Sequence, residues 1–158
     1  MKQWEVSIIQ ASTPEDFAVA GRFILDYAKE FRESLSFQNI DKEVSRLQEL
    51  YCPPDARLFI LKIGNHAAGC VIVKRFSEDA FEMKRMYIDP AHRGHGYSQV
   101  MLDMAIGTAR NMGAKRLLLD TEPTMTSAIH LYEKNGFKSI PPYYDSPLPN
   151  AMFYELVL

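Results

Sequence analysis

Two glycines spaced two residues apart, with an arginine just before them, are the feature of this sequence that most directly suggests binding chemistry. Residues 93–98 read Arg-Gly-His-Gly-Tyr-Ser and fall between a predicted strand and a predicted helix. Such glycines let the backbone turn tightly and aim successive N–H groups one way, and the helix adds its free N–H groups and positive dipole end. This is typical of a phosphate or pyrophosphate site, to which Arg93 would add a charge-assisted contact. A turn that uses its glycines for geometry alone has the same spacing.

Two common phosphate-binding motifs fail to match this turn. A Walker loop needs Gly-Lys-Ser/Thr, which is missing here. A dinucleotide fingerprint needs a third glycine where Gln99 stands, and it usually opens a parallel domain, whereas this turn follows three predicted antiparallel strands. A dinucleotide-binding redox domain is therefore disfavoured, and it stays open as one alternative.

A second segment, residues 128–137, reads Ala-Ile-His-Leu-Tyr-Glu-Lys-Asn-Gly-Phe. With the turn, it resembles the GNAT superfamily of acetyl-coenzyme A-dependent N-acetyltransferases, whose signatures are Arg/Gln-x-x-Gly-x-Gly/Ala and Ala-x-x-Leu-Tyr-x-x-x-Gly-Phe. Arg93 and Gly96 match the first signature, and Ser98 is a small-residue departure that should still permit close approach to a phosphate. The two signatures occur in the family's order within residues 81–140, and the order of elements along the whole chain agrees.

The resemblance implies that acetyl-coenzyme A binds where the strands at residues 81–88 and 116–121 separate. The pantetheine arm would pair with the exposed backbone of Met86 and Ile88 as an added strand, and one backbone N–H there would polarise the thioester carbonyl. The pyrophosphate would lie on the N–H groups of the turn. The implied cofactor-binding residues are Met86, Tyr87, Ile88, Arg93, Gly94, His95, Gly96, Tyr97 and Ser98.

The resemblance also implies which residues handle protons. An alkylamine with a pKa of about 10 is almost wholly protonated at neutral pH, so a proton must leave before the amine attacks a thioester. Tyr132 stands where the family places its general-acid tyrosine; the alternative is an aromatic that merely packs beside Phe137. Glu82 stands on the family's central strand, where some members use a glutamate as a base through a water molecule.

Several alternatives stay open for this chemistry. Strand alternation predicts that Glu82 shares a face with Lys84 and Met86, and that residues 83, 85 and 87 face the other side. A salt bridge with Lys84 would make Glu82 structural, and a water chain alone can also accept the proton. Met125 stands where many members carry an asparagine that contacts the cofactor arm. This departure keeps a second function class open, a catalytically silent acyl-coenzyme A sensor.

Acceptor specificity in this superfamily usually comes from two segments, here residues 31–40 and 141–150. The second carries Tyr143, Tyr144 and Asp145, which would form an aromatic wall with one carboxylate for an ammonium group, unless they only pack as a surface loop. We expect a small-molecule amine or a peptide as the acceptor, and the absence of a strong acidic cluster disfavours polycations.

Other polar side chains give weaker indications. Arg22 and Arg85 are candidates to recognise an acceptor carboxylate. His92 and His95, with Asp89 nearby, lie in a turn rather than on one helix face, and no cysteine accompanies them. We therefore predict no metal site.

Periodicity and turn signals predict the elements that must position these residues, in the order β-α-α-β-β-β-α-β-α-β-β. Predicted strands span 5–9, 57–63, 68–76, 81–88, 116–121, 137–140 and 152–158; predicted helices span about five turns from Pro14, then 41–51, 97–111 and 125–135, with an interruption at 34–39. Antiparallel strands followed by one βαβ crossover indicate an α+β (mixed α/β) fold, with a central, mostly antiparallel sheet flanked by helices.

Composition bounds the remaining choices. The 158 residues, 47% apolar and 24% charged, suit one domain over residues 1–158. Eighteen basic and 20 acidic residues give a net charge of −2, which indicates neither nucleic acid nor a membrane as a partner. The chain shows no run of 18 apolar residues and no apolar leader, so we expect a cytoplasmic protein. The family resemblance allows a homodimer. The sequence leaves the acceptor and the oligomeric state open.

Overall fold

The computed structural model describes residues 5–31 and 34–158, with the backbone alone for 34–38. The strands are β1 (Val6–Gln10), β2 (Ala56–Ile63), β3 (His66–Arg75), β4 (Ala80–Ile88), β5 (Arg116–Thr121), β6 (Lys138–Ile140) and β7 (Met152–Val157). The helices are α1 (Pro14–Phe31), α2 (Ser34–Val44), α3 (Leu47–Leu50), α4 (Tyr97–Asn111) and α5 (Thr126–Lys134). Apart from α3, this is the predicted order.

All seven strands belong to one sheet, in the spatial order β1-β2-β3-β4-β5-β7-β6. The predicted meander of β2, β3 and β4 is confirmed, and β4 and β5 form the parallel pair that a crossover through α4 requires. The other neighbours pair antiparallel. The sheet is therefore mixed and mostly antiparallel, as predicted.

Helix α1 begins at the predicted residue because a reciprocal cap satisfies its first N–H groups. The Thr13 hydroxyl accepts from the N–H of Asp16 at 3.2 Å, and the Asp16 carboxylate accepts from the N–H groups of Ser12 and Thr13 at 3.0 and 3.2 Å. These N–H bonds lower the pKa of Asp16 although burial raises it.

The prediction for the second helix was wrong. We expected an interruption at residues 34–39 and a helix at 41–51, whereas α2 spans Ser34–Val44 and a break at residues 45 and 46 separates it from α3. Ile40, only 2% exposed, packs into the core beneath α1. This tertiary burial outweighs the weak helix propensity of the serine and asparagine residues that suggested a loop. At the far end, the Ser45 hydroxyl bonds the Lys42 carbonyl at 2.7 Å, which favours the break.

Two hydrophobic cores form on the two faces of the sheet. The face under α4 and α5 buries Val71, Val73, Phe81, Met101 and Leu117. The face under α1 and α2 buries Ile24, Leu58, Ile60 and Ile72. Each fully buried aliphatic or aromatic side chain contributes on the order of 2 kcal/mol. No helix in residues 5–31 and 34–158 has the length and apolar character needed to cross a membrane.

A bulge in β4 overturns the predicted alternation of its side chains. Tyr87 pairs with Cys70 but Lys84 pairs with Ile72, so an extra residue lies in between, and Arg85 adopts a left-handed φ of 57°. Beyond the bulge, Met86 therefore packs in the α4-side core, and Tyr87 packs in the α1-side core. Arg85 turns to the same side as Lys84, where both approach one carboxylate of α2.

Candidate active site

Strands β4 and β5 pair over three residues only and then separate. The parallel pairs are Ala80 with Arg116, Phe81 with Leu117, and Glu82 with Leu118. From Met83 onward β4 pairs with β3 alone, and from Leu119 onward β5 pairs with β7 alone, among the described residues. The separation leaves an opening beside the unpaired edge of β4, and a cavity lies on each side of it.

The first cavity, here called the α5 cleft, has a volume of about 450 Å³. It is lined by the end of β4, by the turn before α4, by the last residues of α1 and by α5. Of the nine predicted cofactor residues, the cleft is lined by Met86, Tyr87, Ile88, Arg93 and Ser98. Of the other four, Gly94, His95 and Gly96 lie in the turn that leads into α4, and Tyr97 is the first residue of α4.

The turn before α4 presents unbonded backbone N–H groups. Gly94 and Gly96 have φ angles of 84° and 81°, and Gly96 caps α4 without a side-chain hydrogen bond. Within the described chain, the N–H groups of residues 94–99 find no protein acceptor. A Cβ built on Gly94 or Gly96 meets no atom within 4 Å, so open space adjoins both backbones. Free N–H groups beside open space, at the positive end of α4, suit a pyrophosphate.

Arg93 enters this cleft already paired with an acid. Its two terminal nitrogens donate to the Glu30 carboxylate at 2.6 and 2.7 Å, and its Nε donates to the Ile88 carbonyl at 2.8 Å. The hydrogen bond from Arg93 lowers the pKa of Glu30, which α1 supplies. Sequence reasoning missed Glu30, since nothing in its neighbourhood along the chain points to a residue 63 positions away. The Arg93 charge is thus balanced within the protein, and the backbone N–H groups remain the free donors.

Tyr132 lies on α5 with 5% of its surface exposed, and it lines the α5 cleft. Its ring also packs against Phe137, with centroids 5.7 Å apart. Tyr132 therefore packs against Phe137 and lines the cleft at the same time, so the two predicted environments are compatible. Met125, at the start of α5, lines the cleft too, and its sulfur accepts from the Thr121 hydroxyl at 3.4 Å.

The second cavity, here called the sheet-face cavity, has a volume of about 350 Å³ and lies on the α1 side. Glu82, 7% exposed, accepts from the Tyr143 hydroxyl at 2.6 Å. Asp120 accepts from the Tyr144 hydroxyl at the same distance. Burial and the adjacent carboxylates raise the pKa of both tyrosines, so both hydroxyls remain donors at neutral pH. Glu82 and Asp120 line this cavity, while Tyr132 lines the other one.

Basic residues line the same sheet-face cavity and meet Glu43 from α2. Arg85 Nε lies 2.9 Å and Lys84 Nζ lies 3.7 Å from the Glu43 carboxylate, which also accepts from the Tyr51 hydroxyl at 2.8 Å. Burial raises the pKa of Glu43, but the charge and hydrogen bond of Arg85, with Lys84 and Tyr51, outweigh it, so that pKa ends below its usual 4.5. No salt bridge joins Glu82 to Lys84 among the described residues.

The residues predicted to meet the acceptor lie in different places. Asp145 is exposed and does not line the sheet-face cavity. Asp120, which the sequence reasoning missed, accepts from Tyr144 as Glu82 accepts from Tyr143. Arg85 lines the sheet-face cavity, where Glu43 pairs with it. Arg22 lines a separate cavity beside Asp89, between α1 and the β2–β3 turn. Of the predicted acceptor segment at 31–40, residues 32 and 33 and the side chains of 34–38 lie outside the described structure.

His92, His95 and Asp89 do not assemble into a metal site. Across the described residues, no three or more histidine, cysteine, aspartate or glutamate side chains are grouped to hold a metal ion. His95 is exposed and contacts the Tyr97 ring, with centroids 5.8 Å apart.

Comparison with known proteins agrees with this geometry. The model of the acetyltransferase (GNAT) family matches residues 24–137. An uncharacterised N-acetyltransferase of Schizosaccharomyces pombe is 32% identical over 158 residues, covering 99% of this chain and 97% of the relative. The fold is that of an acetyltransferase from Streptococcus agalactiae. The two share 17% identity with a TM-score of 0.82, and the match covers 97% of this chain and 98% of that one. The fold is also that of a GNAT family acetyltransferase from Elizabethkingia anophelis with acetyl-CoA bound. Here the TM-score is 0.66 and the identity 17%, and the match covers 97% of this chain and 98% of that one. The chain belongs to the GNAT acetyltransferase family.

Proposed function

We propose that this protein transfers an acetyl group from acetyl-coenzyme A to a primary amine of a small molecule or peptide, by direct attack within a ternary complex. The observation that carries the proposal is the opening between β4 and β5. It has the α5 cleft with Tyr132 on one side and the sheet-face cavity with Glu82 on the other. Two cavities beside one strand separation suit two substrates that must react with each other.

The residues of the α5 cleft fit acetyl-coenzyme A. The free N–H groups of residues 94–99 suit the pyrophosphate, and the unpaired edge of β4 suits an amide-bearing arm. Leu131, Ala128 and Met86 give the cleft apolar surface beside that edge. A structural neighbour binds the same cofactor. When bound, acetyl-coenzyme A supplies an activated acetyl thioester.

Proton handling is divided between the two cavities in this proposal. Glu82, with Tyr143 donating to one of its oxygens, takes a proton from the acceptor ammonium directly or through water. Asp120 provides a second carboxylate on the same side. The Tyr132 hydroxyl gives its proton to the leaving sulfur, and the second proton that the nitrogen loses on forming the amide restores it, directly or through water. A base on the acceptor side and an acid on the cofactor side keep the two proton transfers apart.

We propose that the protein acts in the cytoplasm as one domain, without a nucleic-acid or membrane partner and without a metal. Light scattering coupled to size-exclusion chromatography tests the homodimer that the family resemblance allows.

The test is release of free thiol from acetyl-coenzyme A across amino acids, polyamines, aminoglycosides and short peptides. We expect release with one acceptor class, and Tyr132→Phe should lower kcat about 100-fold or more while cofactor binding persists. Tyr154→Phe is the matched control, since it removes a buried phenol that bonds Glu133 and lines neither cavity. Cofactor binding without release for any acceptor would contradict the proposal and favour a sensor. Affinity for NAD but not for coenzyme A would favour the redox alternative.

A further inference from the structure

The sheet-face cavity carries both signs of charge without pairing them to each other. Glu82 and Asp120 are each bonded to a tyrosine hydroxyl rather than to a cation. Lys74 and Lys84 line the same cavity, and neither forms a salt bridge with these two carboxylates among the described residues.

The two lysines keep positive charge available. Glu43 is bound most closely by Arg85, at 2.9 Å, and lies 3.7 Å from Lys84, so one carboxylate is shared by two cations. Lys74 has no ion pair within 4 Å in the described chain. The cavity therefore presents two positive charges to match its two negative ones. Burial of ionised groups without a counter-charge is costly, so a ligand that carries both signs is stabilised here.

The positions of the charges orient such a ligand. Asp120 and Glu82 lie on the two strands that separate, and the α5 cleft opens at that separation. Lys74 lies on β3 opposite Glu82, on the far side of β4 from β5, and Lys84 lies two residues beyond Glu82 on β4. Asp120 is thus on the β5 side of the separation and Lys74 on the β3 side, so an ammonium between Glu82 and Asp120 and an anion at Lys74 and Lys84 occupy different parts of the cavity. Tyr144 and Phe76 also line the cavity and are partly exposed, and the face of an aromatic ring attracts an ammonium group.

We propose that the acceptor is a small aminocarboxylate, whose amine lies at Glu82 and Asp120 and whose carboxylate lies at Lys84 and Lys74. This assignment rests on the proposed acetyl transfer and adds its substrate class. A diamine would bring a second ammonium against the lysines, and a dicarboxylate would bring a second anion against the acids, so both are selected against. A volume of about 350 Å³ is near the lower end for ligand pockets, which favours a molecule of amino-acid size.

The experiment compares matched acceptors that differ only in the carboxylate. Thiol release is measured with the free proteinogenic amino acids and short ω-amino acids as acceptors. It is then measured with their carboxamides and with the corresponding decarboxylated amines. We expect kcat/KM for the best aminocarboxylate to exceed that of its carboxamide by about tenfold or more, because the carboxamide leaves the lysines uncompensated. Equal or better turnover of the carboxamide, the plain amine or a peptide would overturn the assignment while leaving acetyl transfer intact.

Charge-removing variants locate the carboxylate. Lys84→Gln and Lys74→Gln should each raise KM for the aminocarboxylate about tenfold and leave kcat/KM for the carboxamide nearly unchanged. Lys74 is only partly buried, so its variant stays informative if Lys84→Gln fails to fold. Lys115→Gln removes the same charge from an exposed residue outside the cavity, and it should leave kcat/KM unchanged for both the aminocarboxylate and its carboxamide. Equal losses for both substrates would contradict a carboxylate at the lysines.

A binding measurement separates failure of this inference from failure of acetyl transfer. Calorimetric titration of the amino acids into the protein saturated with coenzyme A needs no turnover. Binding of an aminocarboxylate that its carboxamide does not reproduce, and that Lys74→Gln weakens, supports the assignment even if no thiol is released. Absence of aminocarboxylate binding overturns it.

Discussion

Backbone conformation at single residues creates the anion site that we propose for the cofactor. Arg93 is the charged residue of the turn, but Glu30 balances its charge. The free donors are the N–H groups that Gly94 and Gly96 aim by adopting positive φ. An L side chain at such a φ costs about 1 kcal/mol, so glycine is the residue that this geometry requires.

Gly96→Ala should therefore weaken cofactor binding more than it weakens the fold. We expect the Kd for acetyl-coenzyme A to rise about tenfold, because the new Cβ occupies space beside the free N–H groups, and stability to fall by about 1 kcal/mol. Gly113→Ala is a matched control, since Gly113 also has a positive φ, 83°, and open space around it, but follows the far end of α4. Calorimetry and urea unfolding measure both quantities. Similar losses of affinity in the two variants would contradict a cofactor role for the turn.

At the scale of elements, the β4 bulge and helix α2 depend on each other. The bulge turns Arg85 toward α2, and the Glu43 carboxylate of α2 receives it, together with Lys84 and the Tyr51 hydroxyl. The strand boundaries were predictable to within about two residues, because alternation and turn signals are local. The bulge and the true extent of α2 were not, because both are stabilised by contacts between distant segments.

Glu43→Gln should destabilise the protein by about 3 kcal/mol at neutral pH, because it leaves the buried Arg85 without its counter-charge. The folded-state pKa of Glu43 lies below its usual 4.5, so the unfolded chain takes up this proton first. The stabilisation from Glu43 is then fully present above about pH 4.5 and is lost as the pH falls through the folded-state value.

Urea unfolding at a series of pH values measures this effect. The difference between wild type and Glu43→Gln should shrink as the pH falls below about 4.5. Glu49→Gln is the control, since Glu49 pairs with Arg46 on the exposed surface, and we expect little change from it at any pH. A difference that stays constant with pH would show that Glu43 acts through packing and not through its charge.

At the scale of the whole molecule, one sheet separates two cores, and two cavities lie beside the opening between β4 and β5. The α5 cleft draws residues from α1, β4, the turn before α4 and α5, so a ligand there contacts elements on both faces of the sheet. Such a ligand binds the native state and not the unfolded chain, and its binding energy therefore adds to stability.

Acetyl-coenzyme A at about 100 times its Kd should stabilise the protein by about 2.7 kcal/mol. For a chain of this length, that corresponds to a rise in Tm of about 5–10 °C. Differential scanning calorimetry measures the shift, with NAD at the same concentration as the control that should leave the Tm unchanged. No shift with acetyl-coenzyme A at any concentration would contradict binding in the cleft.

The sequence by itself determined the features that short windows encode. The cap at Thr13 and Asp16, the glycine turn at 93–98, the strand periods and the tyrosine of α5 all depend on neighbours a few residues away, and such local preferences act before the chain is compact. Tertiary structure alone decided which charges meet. Arg93 reaches Glu30 across 63 positions, Arg85 reaches Glu43 across 42, and Tyr143 reaches Glu82 across 61. Charge partners are chosen by packing of whole elements, which the one-residue bulge in β4 redirects, and no local pattern records that choice.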